Sequence, residues 1–245
     1  MAPALLVSEP QTNAEQEWQK DKLQSGDFKE AFQQGASTTD YEVELKGTGR
    51  FAPAKYPHYL PYWDATIKYP PLEPFEHTEH GLDADPSFSN LLSGGQFKDL
   101  TGNIGAEVTG IQLSKLSNAG KDELARFVAE KKVVAFRAQD FADLPIQEAL
   151  DFAEYYGPSH IHPASGAPKG FPGVHLVHRS ASDTTVYDFF QERTNSVTWH
   201  SDVSYEIQPP GTTFLYVLDG PLAGGDTLFA NLAVSKILLE SQLTY

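Results

Sequence analysis

The chain has 245 residues, a formal net charge of -15 at neutral pH, 40% hydrophobic and 12% aromatic residues, and no cysteine. That length and apolar content suffice for a buried core and argue against a disordered chain. The acidic balance disfavours nucleic acid and anionic membrane as partners. Without thiols there is no disulfide frame and no thiolate zinc site, so any metal would be held by nitrogen and oxygen ligands.

The opening Met1-Ala2-Pro3-Ala4-Leu5-Leu6-Val7 is apolar but lacks a basic flank and is too short for the core of a signal peptide. No apolar run approaches the ~20 residues of a membrane span, so a cytoplasmic location is the default. Residues 1–50 are polar and weakly periodic, a tail in which Asn13–Lys20 suits a short helix. Residues 51–89 change texture, with Tyr56-Pro57, Leu60-Pro61-Tyr62-Trp63, Tyr69-Pro70-Pro71 and Glu73-Pro74-Phe75. Proline this dense forbids a long helix or central strand, and aromatics this dense need cover. The expectation is an extended arm laid over the main domain, with His58, His77 and His80 solvated or packing.

Residues 90–245 read as the compact domain. Ile104–Leu113 alternates apolar and other residues like a half-buried strand. Ser117 can cap a helix whose buried stripe is Leu124, Phe127 and Val128. Val133–Arg137 suits a buried strand. Asp143 before Leu144-Pro145 predicts a second helix with Ile146, Ala149, Leu150 and Ala153 inward, ended by Gly157. Beyond it, Val174–His178, the stretch around Trp199–Ser204, Thr212–Leu218 and Thr227–Phe229 read as short strands between turn residues, which suits a sandwich or barrel. A helix is expected over 231–241. The fold class is therefore mainly β with flanking helices.

The chemistry centres on Thr198-Trp199-His200-Ser201-Asp202-Val203-Ser204. On a strand, His200 and Asp202 at i and i+2 would point to one face. One imidazole and one carboxylate are two thirds of a 2-His-1-carboxylate iron site, which leaves coordination positions open for co-substrate and oxygen. An H-x-D arises often by chance, so its weight comes from its neighbours. Gly224-Gly225-Asp226-Thr227 alone would be a turn feeding a strand. His160, His175 and His178 read as satisfied or structural histidines.

Several stretches carry a wider likeness: Ile104–Gly110, Val134–Gln139, Gly157-Pro158-Ser159-His160-Ile161-His162-Pro163, Trp199–Tyr205, Pro209-Pro210-Gly211 and Gly224–Thr227. In order and spacing they resemble the taurine/α-ketoglutarate dioxygenase family. The Pro-aromatic arm is similar to its fungal sulfonate dioxygenase branch. The resemblance implies a double-stranded β-helix, or jelly roll, of which residues 90–245 would be the N-terminal part.

It implies Fe(II), α-ketoglutarate and O2 as cofactors and a small anionic substrate. His200 and Asp202 would ligate the iron, Thr227 would bind a carboxylate oxygen of α-ketoglutarate, and His162 would meet the sulfonate. Ser165, Ser196 and Val203 would lie with His162 at the substrate pocket. The implied reaction hydroxylates the carbon bearing sulfur and releases sulfite and an aldehyde. Taurine enzymes carry tyrosine where Ser165 stands and asparagine where Ser196 stands, so another sulfonate, a sulfate ester or a chlorophenoxy acid stays open.

The family also has a distal histidine ligand and an arginine for α-ketoglutarate downstream of the Gly-Gly-Asp-Thr segment. Here no histidine follows His200, and Lys236 is the only basic residue after it. The expectation is a jelly roll incomplete at the C-terminus, and a non-catalytic truncated product is the rival reading. The oligomeric state is left open, a homo-oligomer included.

Overall fold

The computed structural model describes residues 46, 53–62, 68–69, 73–162, 165–178, 199–220 and 222–232. In chain order its elements are strands β1 (Pro61–Tyr62), β2 (Gln96–Asp99) and β3 (Ala106–Thr109), helix α1 (Asn118–Lys131), strand β4 (Val134–Phe136), helix α2 (Ile146–Glu154) and strand β5 (Ala167–Pro168). The chain divides into two compact units. One comprises Met1–Tyr69 with Ile161–Trp199, and the other Pro70–His160 with His200–Tyr245.

In the first unit, β1 and β5 pair antiparallel, with Pro61 opposite Pro168 and Tyr62 opposite Ala167. Prolines cannot donate to a ladder, which keeps this sheet to two residues a side. A single turn of 3₁₀ helix at Pro57–Tyr59 buries Tyr59 beside the buried Leu60. Gly166 meets Pro61 so closely that a Cβ there would sit 2.9 Å from the proline Cβ. The strand expected at Val174–His178 forms no ladder among the described residues; Leu176 N–H donates to the Gly166 carbonyl at 3.3 Å and Val174 N–H to the Phe171 carbonyl at 3.1 Å.

The second unit holds the core. β2 pairs antiparallel with β3, and β3 pairs parallel with β4. Parallel neighbours need a crossover, and α1 supplies it between β3 and β4. The helix starts where its cap residue predicts, with the Ser117 hydroxyl accepting from Gly120 N–H at 3.2 Å. Leu124 and Phe127 are buried as the stripe requires, against Ala106 and Val108 of β3, Leu91, Ile111 and Leu113. Phe88 and Phe97 meet the Phe127 ring edge-on at 5.0 and 5.3 Å between centroids, the geometry aromatic quadrupoles favour.

Two expectations need correction here. Asp143 does not cap α2: it ends a 3₁₀ turn at Phe141–Asp143, and α2 begins after Pro145 without a side-chain cap. The residue before a proline is pushed out of the helical region, so Leu144 stays extended and separates Asp143 from the helix, which begins at Ile146 with Pro145 itself still outside the helical region. The inner face of α2 is set by Ile146 and Phe152, with Ala149 only partly buried. Asn13–Lys20 and the expected 231–241 helix lie outside the described residues, apart from Asn231 and Leu232.

The segment 73–92 runs along α1. Gly81 comes so close to the helix backbone that a Cβ would lie 2.7 Å from Arg126 N, and Arg126 Nη1 donates to the Ala84 carbonyl at 2.9 Å. His80 Nδ1 lies 3.0 Å from Asp122 Oδ1, which also accepts from the Tyr155 hydroxyl at 2.7 Å. Burial, then the hydrogen bond to Asp122, raises the Tyr155 pKa from 10.0 to about 12. The folded state therefore favours the neutral phenol. Its contribution is complete below the ordinary tyrosine pKa and is lost as pH rises through about 12. Tyr155→Phe is expected to remove this alkaline limb and to lower stability near neutral pH by about 1 kcal/mol, the solvent-screened end of a charge-assisted bond. Urea denaturation at neutral and alkaline pH measures both.

Among the described residues the β structure is these two small sheets with helices beside them. No described helix is long and apolar enough to cross a membrane. Thr212–Leu218 joins no ladder, yet it keeps the period of a strand. Phe214 packs on Phe152 and Tyr156, each 5.5 Å between centroids, and Tyr216 stacks on Phe141 at 6.0 Å. Leu215 between them and Val217 after them are exposed to solvent.

Candidate functional site

His200, Ser201 and Asp202 lie on an exposed loop of the second unit. The expected strand is absent here. Asp202 instead leads into a turn closed by Glu206 N–H donating to the Val203 carbonyl at 3.1 Å. Val203 turns the chain at φ +43°, a left-handed conformation that a β-branched residue rarely adopts. Its side chain is 9% exposed. Burial thus holds Val203 in a strained turn, and strain of this kind gathers at functional loops. Val203, expected at a substrate pocket, anchors the loop by its burial.

The two donors nonetheless converge. His200 Nε2 lies 3.1 Å from Asp202 Oδ1, with the side chains 66% and 80% exposed. A polar contact this open contributes little stability. The backbone route through 200–203 brings the groups together, and both remain accessible to a ligand.

Thr227 is exposed at the end of a turn in which Gly224 and Gly225 take φ +85° and +77°. Both glycines are in the left-handed region, which makes the doublet a backbone requirement of that turn. In the first unit, His162 is half-buried and meets the His175 ring edge-on at 4.3 Å. Ser165 is half-buried in the same unit. Ser196 lies outside the described residues. Among the described residues, no group of three His, Asp or Glu side chains is placed to hold a metal ion.

The structure adds partners that no local pattern announces. His160 Nε2 pairs with Glu206 Oε1 at 2.8 Å. Gln208 clasps the backbone of Phe75 from both ends of its amide: its Oε1 accepts from Phe75 N–H at 2.9 Å and its Nε2 donates to the Phe75 carbonyl at 3.1 Å. The only sequence signal for these contacts was the nearness of Glu206 and Gln208 to the H-x-D motif.

A family model described as taurine catabolism dioxygenase TauD, TfdA family matches residues 96–234. The chain is 47% identical over 183 residues to an alpha-ketoglutarate-dependent sulfonate dioxygenase of Saccharomyces cerevisiae, covering 73% of this chain and 44% of that protein. It is 39% identical over 180 residues to the alpha-ketoglutarate-dependent dioxygenase cnsM of Penicillium expansum, covering 73% and 50%. It is 31% identical over 137 residues to an alpha-ketoglutarate-dependent sulfate ester dioxygenase of Pseudomonas putida, covering 56% and 41%. The chain spans about half the length of the curated relatives it matches, or somewhat less. No solved structure matches it.

Proposed function

Because the chain belongs to the taurine catabolism dioxygenase TauD/TfdA family, we propose that it serves as an Fe(II)- and α-ketoglutarate-dependent dioxygenase of small organosulfonates. The observation that carries this reading is the convergence of His200 Nε2 and Asp202 Oδ1 at 3.1 Å on an open loop inside the matched segment. An imidazole nitrogen and a carboxylate oxygen, both exposed, are a donor set that suits a ferrous ion. The jelly roll implied by the family, and a cytoplasmic setting, belong to the same proposal.

In this reading His200 and Asp202 hold the iron. When bound, iron would supply the chemistry by which O2 and α-ketoglutarate hydroxylate the carbon bearing sulfur, one oxygen atom entering the substrate and the other the succinate formed with carbon dioxide, after which the product would separate into an aldehyde and sulfite. The Thr227 hydroxyl donates to a carboxylate oxygen of α-ketoglutarate. His162 donates a ring N–H to the sulfonate. Its edge-on neighbour His175 restricts the orientations that ring can take. By family likeness Ser165, Ser196 and Val203 would stand at the substrate.

A sulfate ester is the second reading, favoured by the Pseudomonas putida relative. A substrate panel decides between them. With Fe(II) and α-ketoglutarate present, an alkanesulfonate is expected to drive release of succinate and sulfite in equal amounts. An alkyl sulfate that gave succinate and sulfate in preference would move the assignment to sulfate esters. No substrate-dependent succinate across the panel would defeat both.

A further inference from the structure

An exposed imidazole and carboxylate on a loop have many conformations open to them, and a metal site needs them held in few. The loop from His200 has little regular structure to hold it. Three attachments replace a ladder. Val203 is buried. Glu206 reaches His160, whose side chain is 16% exposed against 25% for Glu206. Gln208 holds Phe75 by two hydrogen bonds to its backbone. Residues 204, 205 and 207 between them face solvent, so the segment is attached by every residue that turns inward.

The attachments also meet one another. Gly157 sits at φ +145°, and a Cβ there would lie 3.4 Å from the Phe75 ring. The chain leaving α2 through Gly157 therefore packs on the same Phe75 that Gln208 holds, and three residues later it presents His160 to Glu206. Segments separated by 133 and 46 residues in sequence are tied to one short loop.

We propose that His160, Glu206 and Gln208 are positioning residues for the His200–Asp202 pair, with Phe75 of the Pro-aromatic segment as the fixed point of the clasp. The proposal rests on the reading of that pair as metal ligands. The hydrogen bond between the half-buried His160 and Glu206 and the amide clasp fix the loop from Val203 to Gln208, so that the two donors leave it in a constant direction. Outer partners of this kind are commonly worth about 10–100-fold in metal affinity.

The test uses the full chain and two readouts. The first is amide hydrogen exchange over residues 200–208, which needs no metal. His160→Ala, Glu206→Ala and Gln208→Ala are each expected to speed exchange there by about 10-fold or more, with α1 and β3 unchanged. Glu206→Gln keeps an acceptor for His160 and is expected to restore most of the protection. The second readout is Co(II) affinity from its visible absorption, expected to fall by about 10–100-fold in the three alanine variants and by less in Glu206→Gln.

Unchanged exchange at 200–208 in all three alanine variants overturns the proposal. Faster exchange spread equally over α1 and β3 also overturns it, because the residues would then act only on global stability. His200→Ala separates the two layers: it should weaken Co(II) binding by about 100-fold or more while leaving exchange at 203–208 slow. If the unsubstituted chain bound no Co(II) yet kept 200–208 protected, the ligand reading would fall and the attachment of the loop would stand.

Discussion

His200→Ala is expected to weaken Co(II) or Fe(II) binding by about 100-fold or more, and Asp202→Ala to do the same, while neither shifts the unfolding midpoint measurably. The two halves of this result have separate causes. His200 and Asp202 are 66% and 80% exposed and 3.1 Å apart, so their mutual attraction is screened and its loss stays within about 0.5 kcal/mol. Metal affinity, by contrast, depends on every ligand directly. Asp202→Asn keeps the shape but removes the charge, and it should bind Co(II) more weakly than the parent chain yet better than Asp202→Ala. Equilibrium dialysis and thermal unfolding of the same samples measure the two halves together. A large loss of stability in either variant would mean that the pair is structural.

Glu123→Ala should be among the most destabilising single changes in the described part of the chain. Glu123 lies on α1 and is 1% exposed. Its Oε2 accepts from the N–H groups of Asn90 and Leu91 at 2.9 and 2.7 Å, and its Oε1 accepts from Asn90 Nδ2 at 2.5 Å. A carboxyl group accepting from three donors is well satisfied. Alanine would leave those donors unpaired beside Leu91, which is itself fully buried in the core. The cost of unpaired buried donors, together with the void, comes to about 3–4 kcal/mol, or a fall of about 10 °C in the unfolding midpoint for a domain of this size. Glu123→Gln keeps one acceptor oxygen but turns an NH2 toward a donor, and it should cost about half as much. Equal stability of all three forms would show that the carboxylate has no role in joining residues 90–91 to α1.

Glu123 also marks where sequence reading stops. The helix around it was legible: Ser117 is a cap residue, and Leu124, Phe127 and Val128 form a 3/4 stripe that the structure buries or half-buries. A charged residue beside that stripe reads as solvent-facing, because nothing local announces that the 90–91 backbone will bring it donors. β2 was missed for a related reason. Gln96–Asp99 has one apolar side chain in four and is exposed throughout, so it shows no alternation. It is a strand because β3 offers it a ladder. Phe152 went unnoticed on α2 because the helical face was drawn through smaller residues.

The site divides in the same way. The spacing of His200 and Asp202 foretold that they would meet, but the reason was wrong. Alternation on a strand would have aligned them; a left-handed turn at Val203 follows them instead. The supports at His160, Glu206, Gln208 and Phe75 depend on polar contacts between distant segments, which have no period in sequence. Ser196 lies outside the described residues.

The most direct single measurement is the visible spectrum of the chain under anaerobic conditions, with Fe(II) added first and α-ketoglutarate second. If His200 and Asp202 hold iron that chelates the keto acid, a charge-transfer band should appear only when both are present and should vanish in Asp202→Ala. No band in the unsubstituted chain, or an equal band in Asp202→Ala, would contradict the assignment of this loop as the metal site.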